Sequence, residues 1–359
     1  MARVHNFGAG PAVLPVEVLE QAQKELLDFN GSGMSILESS HRGKHYDAIH
    51  AEAIANLRQL LKLTDDYAVL FLQGGASLQF AMVPMNLLGA GQTADYTNSG
   101  AWASKAIKEA KLVGKVNVAA DCGKEIPTRV PRESELKLTP GAAYVHITSN
   151  ETISGAQWKS FPKTEAPLVA DMSSDILSRP FDATQFGLFY AGAQKNLGPS
   201  GVTLVVVRKD LAARAPANLA TMLKYSTHIE ENSLYNTPSC FGIYILALVT
   251  RWVLKMGLEN LYRQNVEKAA RLYAAIDASG FYRGTAVKEC RSDMNVTFRL
   301  PSEPLEEAFV KEASKQGLSG LKGHRSVGGI RASIYNAFPP AGVDALIAFM
   351  KDFQKRNGG

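Results

Sequence analysis

Short apolar runs recur along the chain at Val69–Leu72, Ala142–Ile147, Pro167–Ala170, Leu188–Ala191 and Val202–Val207. Each is too short for a buried helix and has the length of a buried strand. Amphipathic stretches lie among them, at about Tyr46–Leu61, from Leu78 onward and at Ala103–Leu112. Pro15 opens another, with Leu19, Ala22, Leu26 and Leu27 at helical spacing. Alternating strands and helices predict an α/β fold whose sheet is mostly parallel, with helices on both faces.

The last third reads differently. Two long helices, about Ile243–Met256 and Leu261–Ala278, lead into strand, helix, strand and helix at Asp293–Leu300, Glu306–Gln316, Gly328–Tyr335 and Gly342–Gln354. That order suits a smaller α+β domain. With 359 residues the chain is long for one core, so one large and one small domain are expected. The expected division is 16–258 for the large domain, and 1–15 with 259–359 for the small one.

Composition narrows the function classes. The net charge is +5 with no run of five like charges, so neither nucleic acid nor a membrane is indicated as a partner. A mild positive balance suits an anionic small substrate. No apolar run reaches a membrane span, and the first residues lack a secretory leader, so a cytoplasmic setting is expected. Cys122, Cys240 and Cys290 are scattered and show no metal-ligand spacing, so no metal site is expected.

The segment from Asp171 to Lys195 carries most of the chemistry. Asp171 closes one apolar run, and Lys195 follows another among small residues, Tyr-Ala-Gly-Ala-Gln before it and Asn-Leu-Gly-Pro-Ser-Gly after. Small residues let a bulky ligand approach the backbone, and a desolvated lysine is a better nucleophile. A carboxylate and an amine at neighbouring strand ends are the layout of a pyridoxal phosphate (PLP) site. Taken singly, a solvated lysine and a helix-capping aspartate remain open. Gln73-Gly-Gly-Ala-Ser77 lies between a strand and a helix, where backbone amides can hold phosphate, although Gly-Gly is also an ordinary turn. It lacks the Gly-Lys-Ser/Thr of a P-loop. His-Arg occurs twice, at His41-Arg42 and His324-Arg325, and Arg331 falls in a predicted apolar strand. These are candidate phosphate and carboxylate groups, or two surface loops and an internal salt bridge. Trp102 could stack on a flat ring or belong to the core.

Seven segments, in order, resemble the phosphoserine aminotransferases. They begin at Phe7-Gly-Ala-Gly-Pro-Ala, Ser40-His-Arg-Gly, Gly74-Gly-Ala-Ser, Ala170-Asp-Met-Ser-Ser-Asp, Tyr190-Ala-Gly-Ala-Gln-Lys, Tyr235-Asn-Thr-Pro and Gly323-His-Arg-Ser-Val-Gly-Gly-Ile-Arg. The resemblance implies a fold type I PLP-dependent transferase with a seven-stranded type of sheet, working as a homodimer with shared active sites. Its substrates would be L-glutamate and 3-phosphohydroxypyruvate, with a second phosphorylated keto acid left open. By position, Lys195 would bind the cofactor aldehyde, Asp171 its ring nitrogen, Trp102 its ring face and Thr152 the region of its hydroxyl. Ala76, Ser77 and Gln194 would hold the cofactor phosphate, joined by Asn236 and Thr237 of a neighbouring subunit. Arg331 would take the substrate carboxylate. His41, Arg42, His324 and Arg325 would take the substrate phosphate. The chain departs from some members at Ser77, where they carry arginine, and at Ala9, where they carry serine. A cysteine desulfurase, an aminotransferase for unphosphorylated substrates and a non-catalytic binding protein are the competing expectations.

Overall fold

Seven strands make the central sheet: β1 Tyr67–Leu72, β2 Thr93–Asn98, β3 Lys115–Asp121, β4 Val145–Thr148, β5 Leu168–Asp171, β6 Phe186–Gly192 and β7 Thr203–Arg208. Their spatial order is β1-β7-β6-β5-β4-β2-β3. β7 runs antiparallel to both of its neighbours, and the other pairings are parallel. The computed structural model describes residues 3–123 and 128–358. Residues 1, 2 and 359, at the ends of the expected small domain, and residues 124–127, within the expected large one, lie outside the described residues.

The period-two pattern of the strands sends alternate residues to two separate cores. Val69, Phe71, Val145, Ile147, Phe189, Ala191, Leu204 and Val206 face one way. Ala68, Leu70, Leu72, Ala94, Tyr96, Leu188, Tyr190, Val205 and Val207 face the other. Helices α1 Val16–Lys24 and α2 Lys44–Leu61 bury their apolar faces in the first core. Helices α3 Gly75–Leu87 and α4 Ala101–Val113 bury theirs in the second. α5 Cys240–Met256 returns to the first core, and α6 Leu258–Asp277 leads out of it.

A third core holds Phe7 together with residues from Ala269 onward. Around it stand a three-stranded sheet, β8 Arg283–Gly284, β9 Asn295–Arg299 and β10 Ile330–Ser333, with α7 Glu303–Lys315 and α8 Pro340–Asn357. His5 and Asn6 pair in parallel with Leu318 and Ser319, which joins the N-terminal segment to this unit. Among the described residues no single helix is long and apolar enough to cross a membrane. The apolar α5 is buried against the sheet.

One expectation is corrected, and two strands had no counterpart in the sequence reading. α1 ends at Lys24, so Leu26 and Leu27 do not continue its buried face; Leu27 is 85% exposed. β2 and β3 were not expected as strands. β2 reads Thr-Ala-Asp-Tyr-Thr-Asn, yet its centre is buried. Asp95 within it is fully enclosed because Asn117 Nδ2, Thr139 N–H and Thr139 Oγ1 all donate to its carboxylate, at 2.9, 2.7 and 2.7 Å. A buried carboxylate is tolerated once its oxygens are satisfied.

α5 packs directly on the turn that follows Lys195. A Cβ on Gly198 would stand 3.4 Å from the Leu246 Cα. Leu246 is fully buried. Leu246→Ala should therefore destabilise the protein by about 2–5 kcal/mol. The check is the denaturation midpoint; an unchanged midpoint would show that this layer contributes little.

Candidate active site

β4, β5 and β6 all point their carboxyl ends at one crevice, where ligands of open α/β sheets bind. Asp171 is the last residue of β5, and Lys195 lies three residues beyond β6. They line the same cavity, of about 440 Å³, with Gly10, Gly74–Ser77, Trp102, Thr152, Gln194, His324 and Arg331.

The Lys195 ammonium donates to Thr152 Oγ1 at 2.7 Å. It has little other polar company, and its Nζ lies 5.7 Å from the Trp102 ring centroid. Burial lowers its pKa from 10.5 to about 8, against the Asp171 charge, which raises it. The turn carrying it is closed by the N–H groups of Leu197 and Gly198, both donating to Ala193 O. Gly10 lies over its stem: a Cβ there would be 3.4 Å from Lys195 Cγ, at a φ of +142° that favours glycine.

Asp171 is held by the Ser173 N–H, which donates to Oδ1 at 2.9 Å. Ser173 Oγ in turn accepts the Gly192 N–H at 3.1 Å, tying β5 to β6. Burial pushes the Asp171 carboxyl above its ordinary value, while the Ser173 hydrogen bonds and the Lys195 charge pull it back.

At the other side, α3 begins with Gly75-Ala-Ser after a left-handed Gly74. A Cβ on Gly74 would stand 2.6 Å from Leu78 Cβ, so only glycine fits the turn. The first intrahelical bond is Leu78 N–H to Gly74 O, which leaves the preceding amides facing the cavity mouth. No acidic residue occupies this first turn. Such an end binds an anion.

Arg331, in β10, is half-buried and has no ion pair among the described residues. The internal salt bridge considered from the sequence is therefore not formed. Its Nε is buried without a partner, and burial lowers its pKa. A half-buried guanidinium with no ion pair, lining a cavity, is suited to an anionic ligand. The Trp102 indole N–H is also enclosed, with no acceptor among the described residues. His324 lines the same wall, with its pKa lowered by burial and by the charges of Arg331, Arg325 and Lys105.

Five expected residues stand outside this cavity. His41 and Arg42 lie in the turn before α2, with Arg42 exposed. Arg325 is exposed and lines a groove beside α7. Asn236 Nδ2 donates to Gln73 Oε1 at 3.3 Å, next to the glycine turn, and Thr237 is exposed. None of the three cysteines lines the cavity.

Glu151 was not singled out from the sequence. It is fully buried, and its carboxylate accepts the Trp102 and Ala103 N–H groups at 3.1 and 3.0 Å. It thereby caps α4 and fixes the backbone that carries the Trp102 ring. Burial raises its pKa to about 7. The signal was its place beside Thr152, one residue away. Asn150, Ser173 and Ser174 also line the cavity.

The residues present fit a ligand with an anionic end at the glycine turn, a flat body against Trp102, a carbonyl near Lys195 and a basic atom near Asp171. Because a nearby negative charge favours the ammonium form, Asp171→Asn should lower the Lys195 pKa further. Labelling of Lys195 in the cofactor-free protein by a small amine-directed reagent, followed against pH, should show a midpoint near 8 with the native sequence and a lower one in the variant. A midpoint near 10.5 would contradict the burial account.

The aminotransferase class-V family matches residues 4–346. A phosphoserine aminotransferase of Niallia circulans is 58% identical over 359 residues, covering 99% of each chain. The solved phosphoserine aminotransferase of Bacillus circulans subsp. alkalophilus superposes with a TM-score of 0.95 at 57% identity, over 99% of each chain. A PLP-bound phosphoserine aminotransferase from Trichomonas vaginalis gives a TM-score of 0.94 at 40% identity, over 97% of this chain and 100% of its own.

Proposed function

The chain belongs to the aminotransferase class-V family, and from that premise we propose how its own residues transfer an amino group between L-glutamate and 3-phosphohydroxypyruvate. The products are 2-oxoglutarate and O-phospho-L-serine. The enzyme is a PLP-dependent transaminase of fold type I. When bound, PLP supplies the carbonyl that exchanges the amino group and a ring that takes up electron density from the substrate Cα.

The observation that carries this reading is a lysine amine, an aspartate carboxylate, a free helix start and an unpaired arginine around one cavity. The amides of Ala76 and Ser77, with Gln194, would hold the cofactor phosphate. Trp102 would cover the ring and exclude water, and Thr152 would lie near the ring hydroxyl, within reach of Lys195 Nζ once the substrate amine has displaced it. Asp171 would keep a proton at the ring nitrogen. Lys195 Nζ would then take the proton from the substrate Cα and deliver it to the cofactor carbon that had carried the carbonyl. An amine with a pKa of about 8 has an appreciable neutral fraction near neutral pH, which suits it to this work. Arg331 would grip the substrate carboxylate with its two-pronged guanidinium.

The residues outside the cavity support a homodimer. His41, Arg42, Arg325, Asn236 and Thr237 stand at the surface of this chain, where a second copy could bring them to its own site. The surface around His41 also exposes Met34 and Leu37, at 42% and 60%. In this proposal Asn236 and Thr237 reach the neighbour's cofactor phosphate, while the two His-Arg pairs bind the substrate phosphate. Further arginines make up for Ser77 in this account. The proposed domains are 16–258, and 1–15 with 259–359, consistent with Phe7 joining the C-terminal core. The proposed setting is the cytoplasm, with small-molecule substrates and neither nucleic acid nor membrane.

Lys195→Ala should abolish turnover. Arg42→Ala or Arg325→Ala should raise KM for 3-phosphohydroxypyruvate by roughly ten- to a hundredfold, the loss expected for one charge-assisted hydrogen bond, while leaving glutamate nearly unaffected. Steady-state kinetics with each substrate varied gives the check. Equal losses for both substrates would argue against a phosphate-binding role, and native rates in Lys195→Ala would sink the assignment.

A further inference from the structure

The segment bearing His324 and Arg325 is a closed loop with a narrow neck. The Gly323 N–H donates to Gly329 O at 2.8 Å, and Lys322 bridges Ile330 in antiparallel fashion. A Cβ on Gly323 would fall 2.0 Å from Gly328 O, so the two sides of the neck touch through backbone alone. One step further, the Arg331 N–H donates to Leu321 O at 2.8 Å. Arg331 itself is held by that bond and by its register opposite Thr297 in β9, not by the 323–329 loop.

That neck is gripped from behind by an ion pair outside the cavity. Glu306 in α7 has a side chain only 7% exposed. Its Oε1 accepts from Arg299 Nε at 2.5 Å and from the Leu300 N–H at 3.3 Å. Its Oε2 accepts the Gly329 N–H at 3.0 Å. Arg299, at the end of β9, sends Nη1 to Val327 O at 2.8 Å. The pair thus holds one donor and one acceptor of the loop at once. Contact is close: a Cβ on Gly329 would stand 2.7 Å from Arg299 Cδ. An exposed ion pair would contribute little, but Glu306 is enclosed, and removing Arg299 or the Glu306 charge leaves buried partners unsatisfied.

We propose that Arg299 and Glu306 are positioning residues that fix the 323–329 loop and so set the preference for a phosphorylated over an unphosphorylated substrate. This rests on the proposed role of His324 and Arg325 as phosphate-binding groups. Neither Arg299 nor Glu306 touches the cavity, and Lys195, Asp171 and Trp102 lie on other elements. Loosening the loop should therefore spare the glutamate half of the reaction.

The test is the holoenzyme of Glu306→Gln, with Arg299→Lys as a milder second variant that keeps the positive charge but shortens the reach to Val327 O. The glutamate half-reaction is read from the absorbance change on mixing with glutamate. Then kcat/KM is measured for 3-phosphohydroxypyruvate and for an unphosphorylated keto acid. We expect kcat/KM for the phosphorylated substrate to fall by about tenfold, carried by KM, with the other two quantities within about twofold. The double variant should lose no more than the worse single one, since the two residues act as a unit. A uniform loss across all three quantities, or no loss in either variant, overturns the inference. Arg325→Ala and His324→Ala serve as controls. If both handle the phosphorylated substrate normally, the phosphate-binding role itself fails, and the clasp with it. If they are impaired while Glu306→Gln and Arg299→Lys are not, only the clasp fails.

Discussion

A half-buried lysine with a poorly solvated charge is the constraint around which the rest of this structure is arranged. Lys195 sits in a crevice where its charge is poorly solvated, and among the described residues only Thr152 Oγ1 accepts its hydrogen bond. The carboxylates nearby are not paired with it directly. Asp171 acts on it through space and is itself satisfied by Ser173. Keeping the amine incompletely neutralised leaves it able to alternate between holding and releasing a proton. A direct salt bridge would lock it in the ammonium form.

The sheet makes this arrangement possible. Parallel strands bring the ends of β5 and β6 side by side, so residues 24 apart in sequence meet across one crevice. Asp171 lies opposite Tyr190 in the ladder, and the chain then needs only the short turn from Gly192 to reach Lys195. Glycines set the clearances. Gly74 allows the sharp entry to α3, and Gly10 lets the N-terminal segment cross the Lys195 stem. Glu151 joins the opposite wall by capping α4 beneath Trp102. Each of these contacts links a different segment to the same cavity, so the site is a product of the whole fold.

The α/β class and the parallel sheet were legible because β1, β5, β6 and β7 are continuous apolar runs buried on both faces. β2 was not, because its buried polar residues are satisfied by partners such as Asn117 and Thr139 that no local pattern announces. The overlong first helix shows the converse: Leu26 and Leu27 keep helical spacing, but the helix stops at Lys24. In the site, Lys195 and Asp171 stood out through small flanking residues and strand-end placement. Glu151 did not, because a helix cap supplied from 48 residues further along the chain leaves no mark near the helix. The ion pair Arg299–Glu306 was equally hidden, since its partners are backbone groups of a loop 28 and 23 residues further along the chain.

The central claim is that one cavity exchanges an amino group between glutamate and a phosphorylated keto acid. The visible absorbance spectrum of the purified protein tests it most directly, recorded alone, after glutamate, and after 3-phosphohydroxypyruvate. The account predicts a cofactor band that bleaches with glutamate and returns with the phosphorylated keto acid. A band that returns only with an unphosphorylated keto acid would contradict the substrate. No band, even after PLP is added, would contradict the pairing of Lys195 and Asp171 on which everything else stands.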